Sequence, residues 1–261
     1  MRRVPLLPPA APPTALPPAH RALDEPAGLV AAGGALTPDW LRHAYRQGIF
    51  PWFSDTDPIL WWSPDPRTVF YPGKLRIARS LRQSVRNRGY LVSVDVDFAG
   101  VVAACAAPRP LAGLAAEAAE AADTEVAGGT WIVPAMAAAY VALHQAGDAH
   151  AIEVWQGERL VGGLYGVALG GLFFGESMFS SARDASKIAL LTLAAECQDR
   201  GIELIDCQFR TPHLASLGAL EISRPVFLDA VARLTGAAPG HLETAPRAWQ
   251  RPRAPPRLPR S

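Results

Sequence analysis

Hydrophobic and polar positions change period several times in the second half of the chain. Residues 151–155 read as a short strand, Gln156-Gly157-Glu158 as a turn, and residues 160–167 as a second strand. After Gly170-Gly171 a third strand is predicted from 172 to about 178. Around these lie helical patterns. Residues 131–146 carry Met136, Tyr140 and Leu143 on one side, with Pro134 near the start and Gly147 at the end. A second helix opens at Ser181 or Asp184 and runs to about Arg200, where Gly201 stops it. Residues 204–208 then return as a strand. Short strands, a helix and a further strand predict a mixed sheet with packed helices, an α+β fold.

The first half is patterned differently. Thr37-Pro38 supplies an N-cap and first-turn pair for a helix that runs to Gln47 and stops at Gly48. Aromatic loops follow, Ile49-Phe50-Pro51-Trp52-Phe53 and Ile59-Leu60-Trp61-Trp62, and five prolines between 51 and 72 keep this region extended or turning. Residues 23–66 therefore read as a small N-terminal α/β domain and 67–245 as a larger one. The Pro/Ala-rich residues 1–22 and the Arg/Pro-rich residues 246–261 lack apolar periodicity and read as disordered extensions. Residues 106–129 read as a surface insertion; the Ala/Glu run at 115–123 fits a helix that would bury little.

Composition narrows the class. With 49% hydrophobic and 19% charged residues, the 261-residue chain can bury a large core. A net charge of +1 gives no global field toward nucleic acid, so any RNA contact needs a local patch. Lys74, Arg76, Arg79, Arg82, Arg86 and Arg88 form such a run, readable as an RNA surface or as plain solvated charge. Cys105, Cys197 and Cys207 have no CxxC spacing, which points to a reducing compartment. No apolar run reaches membrane-span length, and prolines at 5, 8, 9, 12, 13, 17 and 18 break the segment behind Arg2 and Arg3 that would serve as a signal peptide. A cytoplasmic, membrane-free protein is expected, and a monomer.

Several positions are candidates for chemistry. On a strand, Asp206 and Gln208 share a face while Cys207 points away. They are either a polar pair in a cleft or two solvated residues at a strand end. The same alternation argues against Cys207 and His213 as a nucleophile and base. In Gly175-Glu176-Ser177-Met178-Phe179 the second glycine of a hydrolase elbow is replaced by Phe179. Glu176, among apolar and small residues, is a candidate or a surface carboxylate. Leu190, Leu193 and Cys197 share one face of the 184–200 helix, with Ile188, Leu191 and Ala195 elsewhere on it, which fits a core helix or a pocket wall. Of the seven tryptophans, Trp52 and Trp131 sit among glycines and prolines, where an aromatic can stack on a base or simply pack. The six histidines have no metal-ligand spacing, and no phosphate-binding glycine loop is present.

The chain resembles the bacterial leucyl/phenylalanyl-tRNA–protein transferases over about residues 24–230, with the segments in order. The resemblance is carried by Gly48-Ile49-Phe50-Pro51-Trp52-Phe53, Trp61-Trp62-Ser63-Pro64-Asp65-Pro66-Arg67, Gly129-Thr130-Trp131-Ile132 and His150-Ala151-Ile152-Glu153-Val154-Trp155. It continues through residues 160–167, 175–180, Ala185-Ser186-Lys187, 204–208 and 211–219. It implies a larger domain with the fold of GCN5-related N-acetyltransferases, used without acetyl-CoA and without another cofactor. It implies transfer of Leu or Phe, with Met as a further donor, from aminoacyl-tRNA to proteins with N-terminal Arg or Lys, marking them for degradation.

Residue by residue, the resemblance makes Gln208 a proton acceptor through its amide oxygen, oriented by Asp206. It puts Glu176 near the aminoacyl end of the tRNA. It implies an aminoacyl pocket of Leu164, Phe173, Met178, Leu190, Leu193, Cys197 and Ile205, and a 3′-adenosine platform of Trp52 and Trp131 with Tyr45 and Tyr140. Leu164 stands where a methionine is often found, and Leu193 and Cys197 replace bulkier aromatics. Ile205 conflicts with strand alternation unless the strand bulges or the pocket wraps its edge. Two other readings compete: an acyl-CoA-dependent N-acetyltransferase, which the missing pyrophosphate loop opposes, and a non-catalytic adaptor for N-terminal residues.

Overall fold

The computed structural model describes residues 3–107, 132–236 and 249–260. The expected helix at 115–123, Trp131 and nearly all of the 106–129 insertion lie outside these residues. The described chain forms two mixed sheets with helices between and around them. The smaller holds β1 (Leu6–Leu7), β2 (Leu29–Gly33), β3 (Phe50–Pro51) and β4 (Leu60–Trp62), in the order β1-β2-β4-β3. The larger holds β5 (Arg67–Phe70), β6 (Leu91–Val94), β7 (Ala149–Gln156) and β8 (Arg159–Leu169). It also holds β9 (Leu172–Ser180), β10 (Leu204–Asp206), β11 (Leu220–Ile222) and β12 (Arg251–Ala254), in the order β11-β5-β10-β9-β8-β7-β6-β12. Its β9–β10 pair is parallel, as a helical crossover between them requires.

The helices are α1 (Pro38–Tyr45), α2 (Arg79–Asn87), α3 (Phe98–Ala106), α4 (Pro134–Gln145), α5 (Ala185–Arg200), α6 (Pro212–Ser216) and α7 (Arg224–Thr235). Their starts follow the sequence signals. The Thr37 hydroxyl accepts the Trp40 N–H at 3.4 Å ahead of Pro38, and α4 begins at Pro134. The expected strands near 151–155, 160–167 and 172–178 are β7, β8 and β9, each slightly longer than its apolar signal. The expected 204–208 strand stops at Asp206.

Apolar side chains form two layers about the large sheet. One cluster joins the small sheet, α1, α3, α4 and α7 to one sheet face, through Trp40, Trp61, Met136, Tyr165, Phe174 and Phe227. The other lies under α5, with Ile188, Leu191 and Leu193 against Val154, Val161 and Ile205. Close approach of α5 depends on Gly162, where a Cβ would lie 2.5 Å from the Ala185 Cβ. A helix apolar on every side needs cover on every side, and α5 has the sheet on one flank and α2 and the chain end on others.

Both ends differ from the disordered extensions expected of them. In residues 3–22, Leu7, Leu16 and Ala19 enter the first cluster, and β1 pairs with β2. Near the C-terminus, the Trp249 ring stacks on His150 at 4.2 Å and lies 4.2 Å from the Arg200 guanidinium. Arg251 reaches Glu196 at 3.2 Å, while Arg257 and Arg260 reach Asp199 at 2.9 and 3.1 Å. Proline forbids a long helix but not single 3-10 turns, such as Pro13–Ala15 and Ala19–Arg21, or extended chain, and a few apolar anchors suffice to bury such a segment.

Candidate active site

The site forms where β8, β9, β10 and α5 meet the turn after β10. Registry between β8 and β9 slips at one step: Tyr165 pairs with Ser177 and Gly166 with Gly175, leaving Glu176 as the extra residue. This β-bulge reverses the alternation along β9. Phe174 packs in the first core cluster, while Met178, four residues on, packs against the second. Bulges re-aim side chains, and this one directs Glu176 into a cavity of about 120 Å³. Leu164, Met178, Leu190, Leu193 and Ile205 line it with Tyr165, Gly175, Ser177, Cys207, Gln208, Thr211, His213 and Leu214.

Of the expected pocket residues, five therefore meet in one cavity. Phe173 and Cys197 do not line it. Both are wholly buried in the second cluster, where Phe173 faces Trp249 at 6.1 Å. Cys197 lies one turn beyond Leu193 on the same face of α5, but the cavity ends before it.

The polar pair is arranged otherwise than strand alternation predicts. Asp206 points away from the cavity and is wholly buried. It takes the Arg67 Nε at 2.7 Å on Oδ1 and a terminal nitrogen at 2.6 Å on Oδ2. Arg67 also donates to the Gly48 carbonyl at 3.1 Å and lies between the Phe50 and Phe227 rings, at 4.8 and 4.4 Å. Gly48, at φ +69, closes α1 so that this carbonyl faces inward. Asp206 Oδ1 accepts the Gln208 main-chain N–H at 3.1 Å, and Gln208 has φ +55. The left-handed residue swings Gln208 onto the cavity side with Ile205 and Cys207. Asp206 thus fixes the turn that carries Gln208, and its contact is to the main chain. The Gln208 Nε2 is buried without a hydrogen-bond partner among the described residues.

Cys207, expected to face away, lines the cavity; burial raises its thiol pKa, so it is a poor nucleophile. Ile205 needs no bulge in its own strand, because the chain leaves the sheet directly after Asp206.

Glu176 is the most perturbed acid of the site. Burial pushes its pKa from 4.5 up to about 7, opposed by hydrogen bonds from Tyr140 and Tyr45; Asp206 adds to the rise and Arg67 opposes it. The Tyr140 hydroxyl donates to Oε2 at 2.5 Å and is itself 2.7 Å from the Tyr45 hydroxyl. Glu176 Oε1 is buried and has no hydrogen-bond partner among the described residues. This corrects the expectation for both tyrosines. Each is wholly buried, so neither offers a ring face to a nucleobase, and burial with the nearby Glu176 charge keeps both phenols protonated.

Trp52 is half-buried and packs on Phe209, the residue after Gln208. Its ring lies 5.6 Å from Phe209 and 5.8 Å from Trp62, whose indole N–H donates to the Trp52 carbonyl at 2.7 Å. The six basic residues of the 74–88 run are all exposed, on α2 and the residues flanking it. Asp95, His144 and His150 also gather, with ligand-type atoms within 4.8 Å of one another. The two Nδ1 atoms and both Asp95 oxygens are engaged in hydrogen bonds: His150 to Asp95 at 2.7 Å, His144 to the Ala149 carbonyl at 2.8 Å, and the Ala151 N–H to Asp95 at 2.8 Å. Sequence reasoning overlooked Arg67, although a lone cation opening the strand Arg67-Thr68-Val69-Phe70 was a signal for a buried carboxylate partner. It also passed over Tyr165, Thr211 and Leu214.

Two family models match the chain. Residues 69–232 match "Leucyl/phenylalanyl-tRNA protein transferase", and residues 34–65 match its N-terminal domain. Proteins named leucyl/phenylalanyl-tRNA–protein transferase are similar over most of their length. That of Azoarcus sp. (strain BH72) is 54% identical over 225 residues, 86% of this chain and 89% of the relative. That of Chromohalobacter salexigens is 56% identical over 215 residues, 82% of this chain and 78% of the relative.

Proposed function

The chain belongs to the leucyl/phenylalanyl-tRNA protein transferase family, and we propose that it moves leucine or phenylalanine from tRNA onto the α-amino group of proteins that begin with arginine or lysine. Methionine is a further donor, and the products enter protein degradation in the cytoplasm. The observation that carries the reading is the cavity itself. Its apolar wall of Leu164, Met178, Leu190, Leu193 and Ile205 faces two buried polar groups without partners, Glu176 Oε1 and Gln208 Nε2. An aminoacyl ester supplies what both lack: an apolar side chain for the wall, and amine hydrogens and a carbonyl oxygen for the polar groups.

The ester is already activated, so alignment of two substrates and movement of one proton are the enzyme's main tasks. Gln208 stands at the reacting carbonyl, and Asp206 with Arg67 holds its turn. Trp52 and Trp131 receive the terminal adenosine, and the exposed arginines of α2 meet tRNA phosphates. The enzyme acts as a monomer without a cofactor.

The test is transfer of radiolabelled leucine from leucyl-tRNA to a protein with N-terminal arginine. Label must appear on that protein and not on one beginning with methionine. No label, with an active charged tRNA, rejects the reading. Salt-dependent tRNA binding that survives neutralisation of Arg79, Arg82 and Arg86 removes the assigned RNA surface.

A further inference from the structure

The geometry points to Glu176 as the group that takes the proton of the attacking amine and returns it to the leaving ribose oxygen. This rests on the aminoacyl transfer proposed above. Three observations place the proton there. The β-bulge aims Glu176 into the cavity. Tyr140, backed by Tyr45, holds Oε2 and leaves Oε1 as a buried acceptor without a donor. Two other cavity groups are poorer acceptors: the Gln208 amide is a very weak base, and burial raises the pKa of the Cys207 thiol; His213, the remaining basic group on the cavity, is separated by the experiment below. Asp206 is turned from the cavity and held by both arms of Arg67.

The step balances on these atoms. The amine nitrogen forms a bond to the ester carbonyl carbon, and the carbonyl electron pair moves onto oxygen. Glu176 Oε1 takes the nitrogen's proton. The oxygen pair then re-forms the carbonyl and breaks the bond between the acyl carbon and the ribose oxygen, whose electron pair leaves with it, and Glu176 protonates that departing oxygen. Amide and free tRNA leave, and Glu176 is again a carboxylate. An acid that titrates near neutrality is matched to both halves, since it must accept from an ammonium-like nitrogen and donate to an alkoxide.

The groups that set its titration are Tyr140 on α4, Tyr45 on α1, Asp206 on β10 and Arg67 on β5, with Gln208 and His213 on the same cavity. The experiment measures turnover of the full chain from pH 5.5 to 8, with leucyl-tRNA and an N-terminal-arginine acceptor both saturating. Wild type should rise through a midpoint near 7. Glu176→Gln should lose on the order of 100-fold or more in kcat, keep its KM for the acceptor, and lose the midpoint. Tyr140→Phe removes a donor that favours the carboxylate, so its midpoint should move to higher pH with the protein folded.

A Glu176→Gln variant that raises the acceptor KM while kcat holds makes Glu176 an ammonium anchor and overturns the assignment. Loss of the midpoint in His213→Gln, with retention in Glu176→Gln, overturns it in favour of His213. Should Glu176→Gln fail to fold, an unmoved midpoint in Tyr140→Phe overturns it instead. Wild type that transfers no label rejects the transfer reading itself.

Discussion

Arg67 grips Asp206 through two hydrogen bonds of 2.7 and 2.6 Å, with both side chains fully sealed from solvent. The pair joins the first strand of the large sheet to the turn that carries Gln208, and through the Gly48 carbonyl it reaches the end of α1. Arg67→Met leaves a buried carboxylate without its cation, a loss of about 3–5 kcal/mol. The double variant Arg67→Met/Asp206→Leu should be more stable than either single one in urea unfolding. A double variant as weak as the sum of the singles contradicts the pairing. Gln208→Ala and Asp206→Ala should reduce turnover far more than tRNA binding; equal losses would remove the catalytic assignment.

Glu176 should make stability fall as pH rises. Its pKa goes up from 4.5 in the unfolded chain to about 7 in the fold, so below 4.5 both states hold the proton and the stability is fully present. Between about 4.5 and 7 the unfolded chain ionises first, and stability declines by roughly 3 kcal/mol at about 1.4 kcal/mol per unit. Chemical denaturation at pH 5 and pH 8 should show that slope in wild type and a shallower one in Glu176→Gln. Buried Glu153, whose pKa is also raised by burial, contributes a slope of the same sign to both proteins. The difference between the two therefore reads Glu176.

Trp52 and Tyr45 should part company in binding. A half-buried tryptophan can take a base on its face, worth roughly 1–3 kcal/mol, so Trp52→Ala should weaken an aminoacyl-adenosine analogue by about 5- to 150-fold. Tyr45→Phe removes a buried hydroxyl that serves Tyr140 and Glu176, not a ring face, and should leave that affinity within about twofold. Isothermal titration of both variants decides it. Comparable losses would return Tyr45 to the adenosine platform.

Donor preference should respond to Leu193 and ignore Cys197. Leu193→Phe projects added volume into a cavity of about 120 Å³ and should disfavour phenylalanine against leucine by on the order of tenfold in kcat/KM. Cys197→Ala lies outside the cavity and should cost about 1 kcal/mol of stability with the preference unchanged. Competition between the two charged tRNAs gives the ratio directly.

Trp249 should anchor the C-terminal segment. Trp249→Ala strips contacts from His150, Phe173 and Arg200 together, with an expected loss of about 3–5 kcal/mol. Limited proteolysis should then cut near residues 249–260 in the variant and spare them in wild type. Equal resistance would mean that the salt bridges to Glu196 and Asp199 hold the segment alone.

Local signals carried much of the fold. Thr37-Pro38, Pro134 and Gly201 fix helix ends because they act within one turn, and the β7–β8–β9 meander follows from runs of apolar residues parted by glycine. Those signals failed where distant partners decide. The prolines and arginines of the two ends have no pattern of their own, and they are ordered by pairing with β2 and by carboxylates on α5.

The sequence alone carried the family resemblance and the mixed α/β class, and through that resemblance it pointed to Glu176, Gln208 and five apolar residues that meet in the cavity, because these depend on residue identity and its order along the chain. The direction of each polar side chain was settled by tertiary structure. One extra residue in β9 turns Glu176 inward, and one left-handed residue after β10 brings Gln208 beside Cys207 while Asp206 faces Arg67, 139 positions away. A two-residue period cannot register an insertion that only the neighbouring strand reveals, nor a salt bridge whose partner lies across the fold.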